Sequence, residues 1–565
     1  MPTPLAQLQA DATCHLMAGL ATRCHHVVMS PGSRSTPLVL AARSQPRLDV
    51  DVVLDERAAA FVALGMARAS GRPAVLVCTS GSAGLHYAPA IAEAKADGVP
   101  LVVLTADRPP ELHDCESPQT MNQREMFGVH AKAAFELDTP APTQWLQTGR
   151  TAVALALGGR PGPVHINIAF RKPLWDPATT YHSVPTPKPK LIDRYILSDR
   201  PIVSLARHLQ EHADGVIFCG AGPADASTAA LVRRLSVVSG WPVLAAAASG
   251  VRFDDDGSSS CVVGYEAIIR SGSMPQPAAS IELGRPPLNP HVLGWLQGIE
   301  SRRVISTTSE VRHGLPGAVE LILADVDDTL HRLLAIAAGT GRHAAGWAAA
   351  ETICSQITEQ CLNQHWEGPV AAAVAQTIAP GSTLLVAASM PIRDANQFAR
   401  RRTGTIRLLA NRGLNGIDGL IATAAGIARS EGRATLLIGD LAFRHDVSGL
   451  LAAAELGVRL DVVVVNNAGG GIFGLLPISA HNEAFEPAFV AQQNSQIQAI
   501  AAAASAAWLP CSSPGDVRAT LDSEAEGIRV LEIRTDRESN LRAHERYLEM
   551  CRSALARIDG RSWAT

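Results

Sequence analysis

At 565 residues the chain exceeds what one hydrophobic core supports, and at about 100–200 residues per domain it predicts about three domains. A hydrophobic share of 47% against 18% charged residues excludes a disordered chain, and a net charge of −4 with no basic run interleaved with aromatics leaves nucleic acid out of the expected partners. The ten cysteines form no CxxC pair and no Cys/His cluster at zinc spacing, the start lacks a basic n-region, and no apolar stretch reaches the roughly 18 residues of a membrane span, so a cytoplasmic protein with reduced thiols and no membrane contact is expected.

In chain order, the apolar runs "AVLVC" (74–78), "PLVVLT" (100–105), "TLLVAAS" (383–389) and "DVVVVN" (461–466) alternate with Ala-rich helical stretches, the pattern of parallel strands covered on both faces. The chain also repeats itself. "GMARASGRPAVLVCT" (65–79) lies over "GIARSEGRATLLIGD" (426–440) at an offset of 361, and the same offset places "LVVLTA" (101–106) over "VVVVNN" (462–467). An offset of 359 pairs "SPGSR" (30–34) with "SMPIR" (389–393). Any two helix-turn-strand units look somewhat alike, but three matched segments in one order favour two homologous α/β domains, 1–185 and 355–565. A Pro/Lys-rich linker, "SVPTPKPKLIDR" (183–194), ends the first, and "GVIFCGAGPADAS" opens a middle unit, 195–345. Its Gly220-Ala221-Gly222 would suit a dinucleotide loop, yet the third glycine is missing, and a structural α/β domain is the better reading. The expected fold is thus α/β, with three doubly wound parallel-sheet domains of which the outer two are homologous.

Two strand ends in the last domain carry chemistry. Gly439-Asp440-Leu441 closes one apolar run and Asn466-Asn467 closes the next, with room for one crossover helix between them. Ligands of open parallel sheets bind beyond the carboxyl ends of strands. A carboxylate and an amide oxygen brought together there form a hard-oxygen site suited to Mg²⁺, which takes its other ligands from water and phosphate. Gly469, Gly470 and Gly471 allow close backbone approach and offer N–H donors to a polyphosphate. Asp and Asn at strand ends also serve as plain turn or cap residues, but the two together at this spacing favour a metal-diphosphate cradle.

This arrangement resembles the diphosphate motif of the thiamine diphosphate enzymes, with Leu441 where most of that superfamily has a second glycine. More narrowly, "SPGSRSTPL" (30–38), "DERAAAFVALGMA" (55–67), "TSGSAG" (79–84), "TADRPPEL" (105–112), "NRGLNGIDGL" (411–420) and "NNAGGGIFGLLP" (466–477) resemble the blocks of the menaquinone-pathway family of 2-succinyl-5-enolpyruvyl-6-hydroxy-3-cyclohexene-1-carboxylate synthases. The resemblance covers both outer domains in order; the middle one matches weakly. It implies a pyrimidine-binding first domain, a diphosphate-binding last domain, and Mg²⁺ (or Mn²⁺) bound by Asp440, Asn467 and the Gly469 carbonyl. It places thiamine diphosphate against Glu56, Thr79, Ile417, Gly439, Leu441, Gly470, Ile472 and Phe473. Glu56 is the implied catalytic acid facing the aminopyrimidine, and Ile417, its equivalent at the 361 offset, the apolar prop.

The same resemblance implies that Arg34, Arg108, Arg393 and Arg412 bind the carboxylates of 2-oxoglutarate and isochorismate, with Ser33, Gln119 and Ser389 orienting them. Ser33, Arg34 and Gln119 are also expected to act in catalysis. The implied reaction is decarboxylation of 2-oxoglutarate and 1,4-addition of the succinyl unit to isochorismate, in a homodimer or a homotetramer built as a dimer of dimers. Three departures are visible. "PPLNPHVL" (286–293) stands where the family has a basic pair, with His291 or Arg285 as possible substitutes; "CESPQTMNQ" (115–123) has Glu-Ser for a small Gly-Ala pair; Ala442 replaces a frequent hydroxyl. The rival readings are another thiamine diphosphate-dependent decarboxylase or carboligase, and a non-catalytic ligand-binding paralogue.

Overall fold

The apolar runs become strands buried along their length, with only Asn466 at the end of the last run partly exposed, because helices cover both faces of each sheet. The computed structural model describes residues 3–190, 196–222, 226–255, 257, 259–309, 319–337 and 344–558. The expected domain limits at residues 1, 195 and 565, the linker end 191–194 and the 223–225 continuation of the glycine loop lie outside the described residues.

The first sheet comprises β1 (His26–Met29), β2 (Asp49–Val52), β3 (Ala74–Cys78), β4 (Leu101–Asp107), β5 (Ala133–Leu137) and β6 (Pro163–Ala169), in the order β2-β1-β3-β4-β6-β5. The second comprises β7 (Val216–Cys219), β8 (Val243–Ala245), β9 (Cys261–Val262), β10 (Ala279–Leu283), β11 (Ser301–Ser306) and β12 (Val319–Leu323), in the order β12-β11-β10-β7-β8-β9. The third comprises β13 (Thr383–Val386), β14 (Arg407–Leu409), β15 (Ala434–Gly439), β16 (Leu460–Asn466), β17 (Ala507–Cys511) and β18 (Ile528–Arg534), in the order β14-β13-β15-β16-β18-β17. Neighbouring strands pair in parallel in all three. Strand for strand, the first and third sheets share one topology, which is the repeat expected from the sequence.

The two repeats meet where helices Glu56–Ser70 and Leu420–Glu431 cross, inside a core cluster that draws apolar residues from both. A Cβ on Gly65 would lie 2.0 Å from the Thr423 carbonyl oxygen, and one on Gly426 would lie 2.0 Å from that of Val62. Both contacts obey the 361-residue offset, so the helices cross about a local two-fold, and the glycines permit backbone-to-backbone approach. Register moves one alignment: Ala74 pairs with Leu101, whereas Thr435, its equivalent, pairs with Asp461, so 101–106 lies over 461–466, one residue earlier than the sequence match. At the rim of this contact Arg429 pairs with Asp49 and Asp51, and Ser430 bonds His26.

The middle sheet joins the third through a buried polar knot. Arg252, fully buried, donates to the carbonyls of Asn396 and Ala399 at 2.8 and 2.7 Å, and Asn396 Nδ2 donates to Tyr265 Oη and Glu266 Oε1. Gly220 has a packing reason of its own: a Cβ there would sit 1.7 Å from the Arg285 carbonyl oxygen, and Arg285 N–H donates to the Ala221 carbonyl. The Gly220-Ala221-Gly222 loop therefore lies against the turn after β10. Among the described residues, no helix is long and apolar enough to cross a membrane.

Candidate active site

In a sheet ordered β2-β1-β3-β4 the chain leaves β1 to one side and returns through β3 on the other, which opens a crevice between the loops following those strands. Sequence-predicted residues gather there. Ser33 and Arg34 follow β1, Thr79 follows β3 and Arg108 follows β4. Arg34 is buried and donates from Nη1 to the Phe170 carbonyl at 2.6 Å; burial lowers its pKa, Arg108 lowers it further, and Asp107 opposes both. Ser80 joins the cluster, accepting from Arg108 at Oγ and from Gln119 Nε2 at its carbonyl, the latter at 3.1 Å. Ser33 and Gln119 are exposed, and Gln119 holds a φ of 60°, uncommon for a side chain of its kind.

Beneath these loops lies a buried polar network that the sequence reading passed over. Thr105 donates to Asn167 Oδ1 at 2.8 Å, Asn167 Nδ2 donates to Asp107 and Glu136 at 2.9 Å each, and Gln123 ties Asn167 to the Gly81 N–H. It holds the ends of β3, β4 and β6 in fixed relation. Glu56 opens helix Glu56–Ser70, capped by Asp55, whose carboxylate accepts from the Arg57 N–H at 2.8 Å; in the chain alone Glu56 is half-buried. Arg57 reaches across to the His445 carbonyl and the Asp446 carboxylate.

The third sheet opens the equivalent crevice between β13 and β15. Ser389, after β13, has φ 71° and ψ −133°, a strained conformation for a non-glycine residue, and its carbonyl accepts from Arg393 Nη1 at 2.7 Å. Arg412 follows β14; its Nε is buried without a hydrogen-bond partner, and burial, followed by the neighbouring Arg393, lowers its pKa. Ile417 is 39% exposed, so nothing in the single chain covers the expected prop.

Asp440 and Asn467 stand at the ends of adjacent strands, since Gly439 pairs with Val465. Asp440 is 2% exposed; burial raises its pKa, and Arg444, 2.9 Å away, opposes with the Leu441 and Gly469 N–H groups. Asn467 donates from Nδ2 to Glu367 Oε1 at 2.7 Å, which turns its amide oxygen the other way, and that oxygen is buried with no hydrogen-bond partner. Such an oxygen beside a buried carboxylate is a ready ligand for a hard cation. A Cβ on Gly439 would meet nothing within 4 Å, leaving open space beside the pair and the half-buried Leu441.

One expectation is corrected here. The glycines after Asn467 were expected to offer their N–H groups to a polyphosphate, but Gly470 donates to the Val490 carbonyl and Gly471 to the Gly469 carbonyl, at 2.8 and 2.9 Å. Gly469 and Gly470 are instead required by the crossing segment: Cβ atoms there would lie 2.3 and 2.4 Å from the carbonyl oxygens of Val490 and Phe489. Ile472 and Phe473 lie in the turn Gly471–Leu475, with Phe473 edge-on to Phe489 at 5.6 Å.

The possible substitute cations also find their places. Arg285 is engaged with Asp97 and donates to the Arg412 carbonyl at 3.1 Å, while His291 is exposed at the start of a helix capped by Asn289. Ala442 is buried, and Glu116 has φ 54°, the region a glycine favours. The structure thus brings together one group around Arg34, Arg108 and Gln119 and another around Ser389, Arg393, Arg412, Asp440 and Asn467. Among the described residues, no hydrogen bond or ion pair joins Glu56, Arg34 or Gln119 to Asp440, Asn467 or Arg393.

Two doubly wound sheets of one topology, one with an acid opening the helix after β2 and the other with an Asp/Asn oxygen pair at the ends of β15 and β16, form the architecture of thiamine pyrophosphate enzymes, and residues 13–128 match their N-terminal TPP binding domain. Over nearly its whole length the chain is similar to proteins named 2-succinyl-5-enolpyruvyl-6-hydroxy-3-cyclohexene-1-carboxylate synthase. That of Geobacillus thermodenitrificans is 34% identical over 560 residues, covering 94% of each chain. That of Chloroflexus aurantiacus is 34% identical over 575 residues, covering 97% of each, and that of Myxococcus xanthus 35% identical over 554 residues, covering 92% of this chain and 93% of the relative. The chain belongs to this family of synthases.

Proposed function

We propose that this protein is a transferase that decarboxylates 2-oxoglutarate and adds the succinyl unit in 1,4 fashion to isochorismate, using thiamine diphosphate and Mg²⁺ or Mn²⁺, in the pathway to menaquinone. The observation that carries this reading is the pair of sheets of one topology whose carboxyl-end loops each carry two arginines: Arg34 and Arg108 after β1 and β4 in the first repeat, Arg393 and Arg412 after β13 and β14 in the last. Bidentate guanidinium groups suit the carboxylates of both substrates.

The residues fit the cofactor. Asp440, Asn467 and the Gly469 carbonyl would hold the cation, and the unpartnered Asn467 amide oxygen supports that assignment. Bound thiamine diphosphate supplies the carbanion chemistry of the decarboxylation and the carbon–carbon bond. The chain's own residues bind, orient and move protons around it. Glu56 would hold a proton against the aminopyrimidine, Ile417, Ile472 and Phe473 would wall the cofactor, and Thr79 would sit at its pyrimidine end. Ser33, Gln119 and Ser389 would orient the substrates. Because Glu56 and Asp440 lie in separate half-sites, and because Leu54 at 81%, Leu414 at 60% and Leu475 at 50% stay exposed in the segments after β2, β14 and β16, the reading includes a second copy of the chain, in a homodimer or a dimer of dimers.

The test is product analysis. With 2-oxoglutarate, thiamine diphosphate and Mg²⁺, the enzyme is expected to form the succinylated cyclohexene carboxylate only when isochorismate is present. Equal turnover of 2-oxoglutarate to an aldehyde in its absence, with no joined product, would assign the chain to another decarboxylase.

A further inference from the structure

We propose that Glu93 and Arg285 are positioning residues for Arg412, holding from two other parts of the chain the loop that presents it; the proposal rests on the reading of Arg412 as a substrate-carboxylate contact. The loop between β14 and helix Leu420–Glu431 has little packing of its own, with Leu414 and Ile417 exposed. Its backbone is gripped instead. Glu93, fully buried on helix Ala88–Asp97, accepts from the N–H groups of Gly413, Leu414 and Asn415 at 2.9, 2.6 and 2.9 Å. Three successive N–H groups around one carboxylate form an anion nest of charge-assisted bonds.

Arg285, from the middle sheet's β10 turn, donates to the Arg412 carbonyl on the other side and is paired with Asp97, and Arg68 pairs with both Asp97 and Glu93. The peptides on either side of Gly413 are therefore fixed by groups outside the third sheet. The fit is tight, since a Cβ on Gly413 would lie 2.7 Å from Glu93 Oε2 and 2.9 Å from the Ala96 Cβ. The Arg412 Nε has no partner, so the aim of this side chain is inherited from its backbone. Arg285 accordingly serves the substrate through Arg412 and not by contact.

Double-mutant cycles test this. Glu93→Gln and Arg285→Ala are each expected to lower kcat/KM for the substrates about tenfold with thiamine diphosphate affinity within about threefold of wild type, and to lower it less than about twofold further when Arg412→Ala is already present. Gly413→Ala, which presses on the nest from the loop side, is expected to follow the same pattern and guards against a folding defect in either variant. Full multiplication of the losses in the Arg412→Ala background overturns the proposal, as does an unchanged kcat/KM in the single variants. No loss in Arg412→Ala alone marks the failure of the substrate reading of that arginine.

Discussion

Removing the Glu367 carboxylate is expected to weaken metal binding without touching a metal ligand. Glu367 is 3% exposed at the start of helix Glu367–Thr377, and its Oε1 accepts a hydrogen bond from Asn467 Nδ2 at 2.7 Å, with Thr535 a longer second donor at 3.3 Å. This bond fixes the Nδ2 end of the Asn467 amide and leaves its oxygen unpartnered. Burial, with Asp394 adding to it, pushes the Glu367 carboxyl up to about 7, and loss of such an outer partner typically costs about 10–100-fold in metal affinity. In Glu367→Ala the amide is free to rotate, and the Mg²⁺ midpoint for thiamine diphosphate binding should rise by about 10–100-fold. In Glu367→Gln an acceptor oxygen remains, and the rise should stay within about threefold. The assay is Mg²⁺ titration at fixed thiamine diphosphate, followed by calorimetry or near-UV circular dichroism, which reads binding without turnover. An unchanged midpoint in Glu367→Ala would show that Glu367 does not hold the Asn467 amide for the cation. Metal-independent cofactor binding in wild type would instead remove the metal assignment.

Three further outcomes are expected. Glu351 is pushed up to about 7 by burial, against the opposing N–H donors of Gly264 and Val263. Its folded pKa therefore exceeds the unfolded value near 4.3, the folded state holds the proton between the two, and stability falls as pH rises from about 4 to about 7; Glu351→Gln should remove a loss on the order of 3 kcal/mol, seen as a thermal-midpoint difference from wild type that widens between pH 5 and 8. Glu116→Gly should raise the thermal stability by about 1 kcal/mol, because φ 54° is unstrained for glycine, and a fall would show that the Glu116 side chain is needed. Mixed after subunit exchange, inactive Glu56→Gln and Asp440→Ala chains should regain activity, since random pairing gives up to about half the dimers one intact site; no rescue, with exchange verified by mass, would place both residues in one site of one chain.

The sequence announced those features whose signal is local or repeated. Continuous apolar runs mark strands covered on both faces, and the 361-residue offset reappears in the crossing at Gly65 and Gly426, because a close helix contact about a two-fold demands a glycine from each repeat. Asp440 and Asn467 were legible because each ends a strand next to its neighbour. Glu93 and Glu367 were not: each lies on an ordinary Ala-rich helix, and its significance comes from partners about 320 and 100 residues away that only tertiary packing brings to it. The glycines after Asn467 show the opposite failure. Their spacing suits a phosphate loop, but the demand on them is set by carbonyls of Phe489 and Val490, which no local pattern ties to that loop.

Duplication followed by divergence accounts for the uneven distribution of chemistry between the repeats. Both sheets open a crevice at the same topological position, and both fill it with a loop carrying serine and arginine, Ser33 and Arg34 in one and Ser389 and Arg393 in the other. Beyond that the halves differ in what they bury. The first keeps a hydrogen-bonded network of Asn167, Gln123 and Thr105 beneath its loops and half-buries an acid at a helix start, whereas the last buries Asp440 and leaves an amide oxygen unmatched. A buried unmatched oxygen costs about 1–3 kcal/mol, a cost the fold does not offset within the chain. A bound cation would offset it, so the pair Asp440 and Asn467 is where ligand binding and stability should be linked.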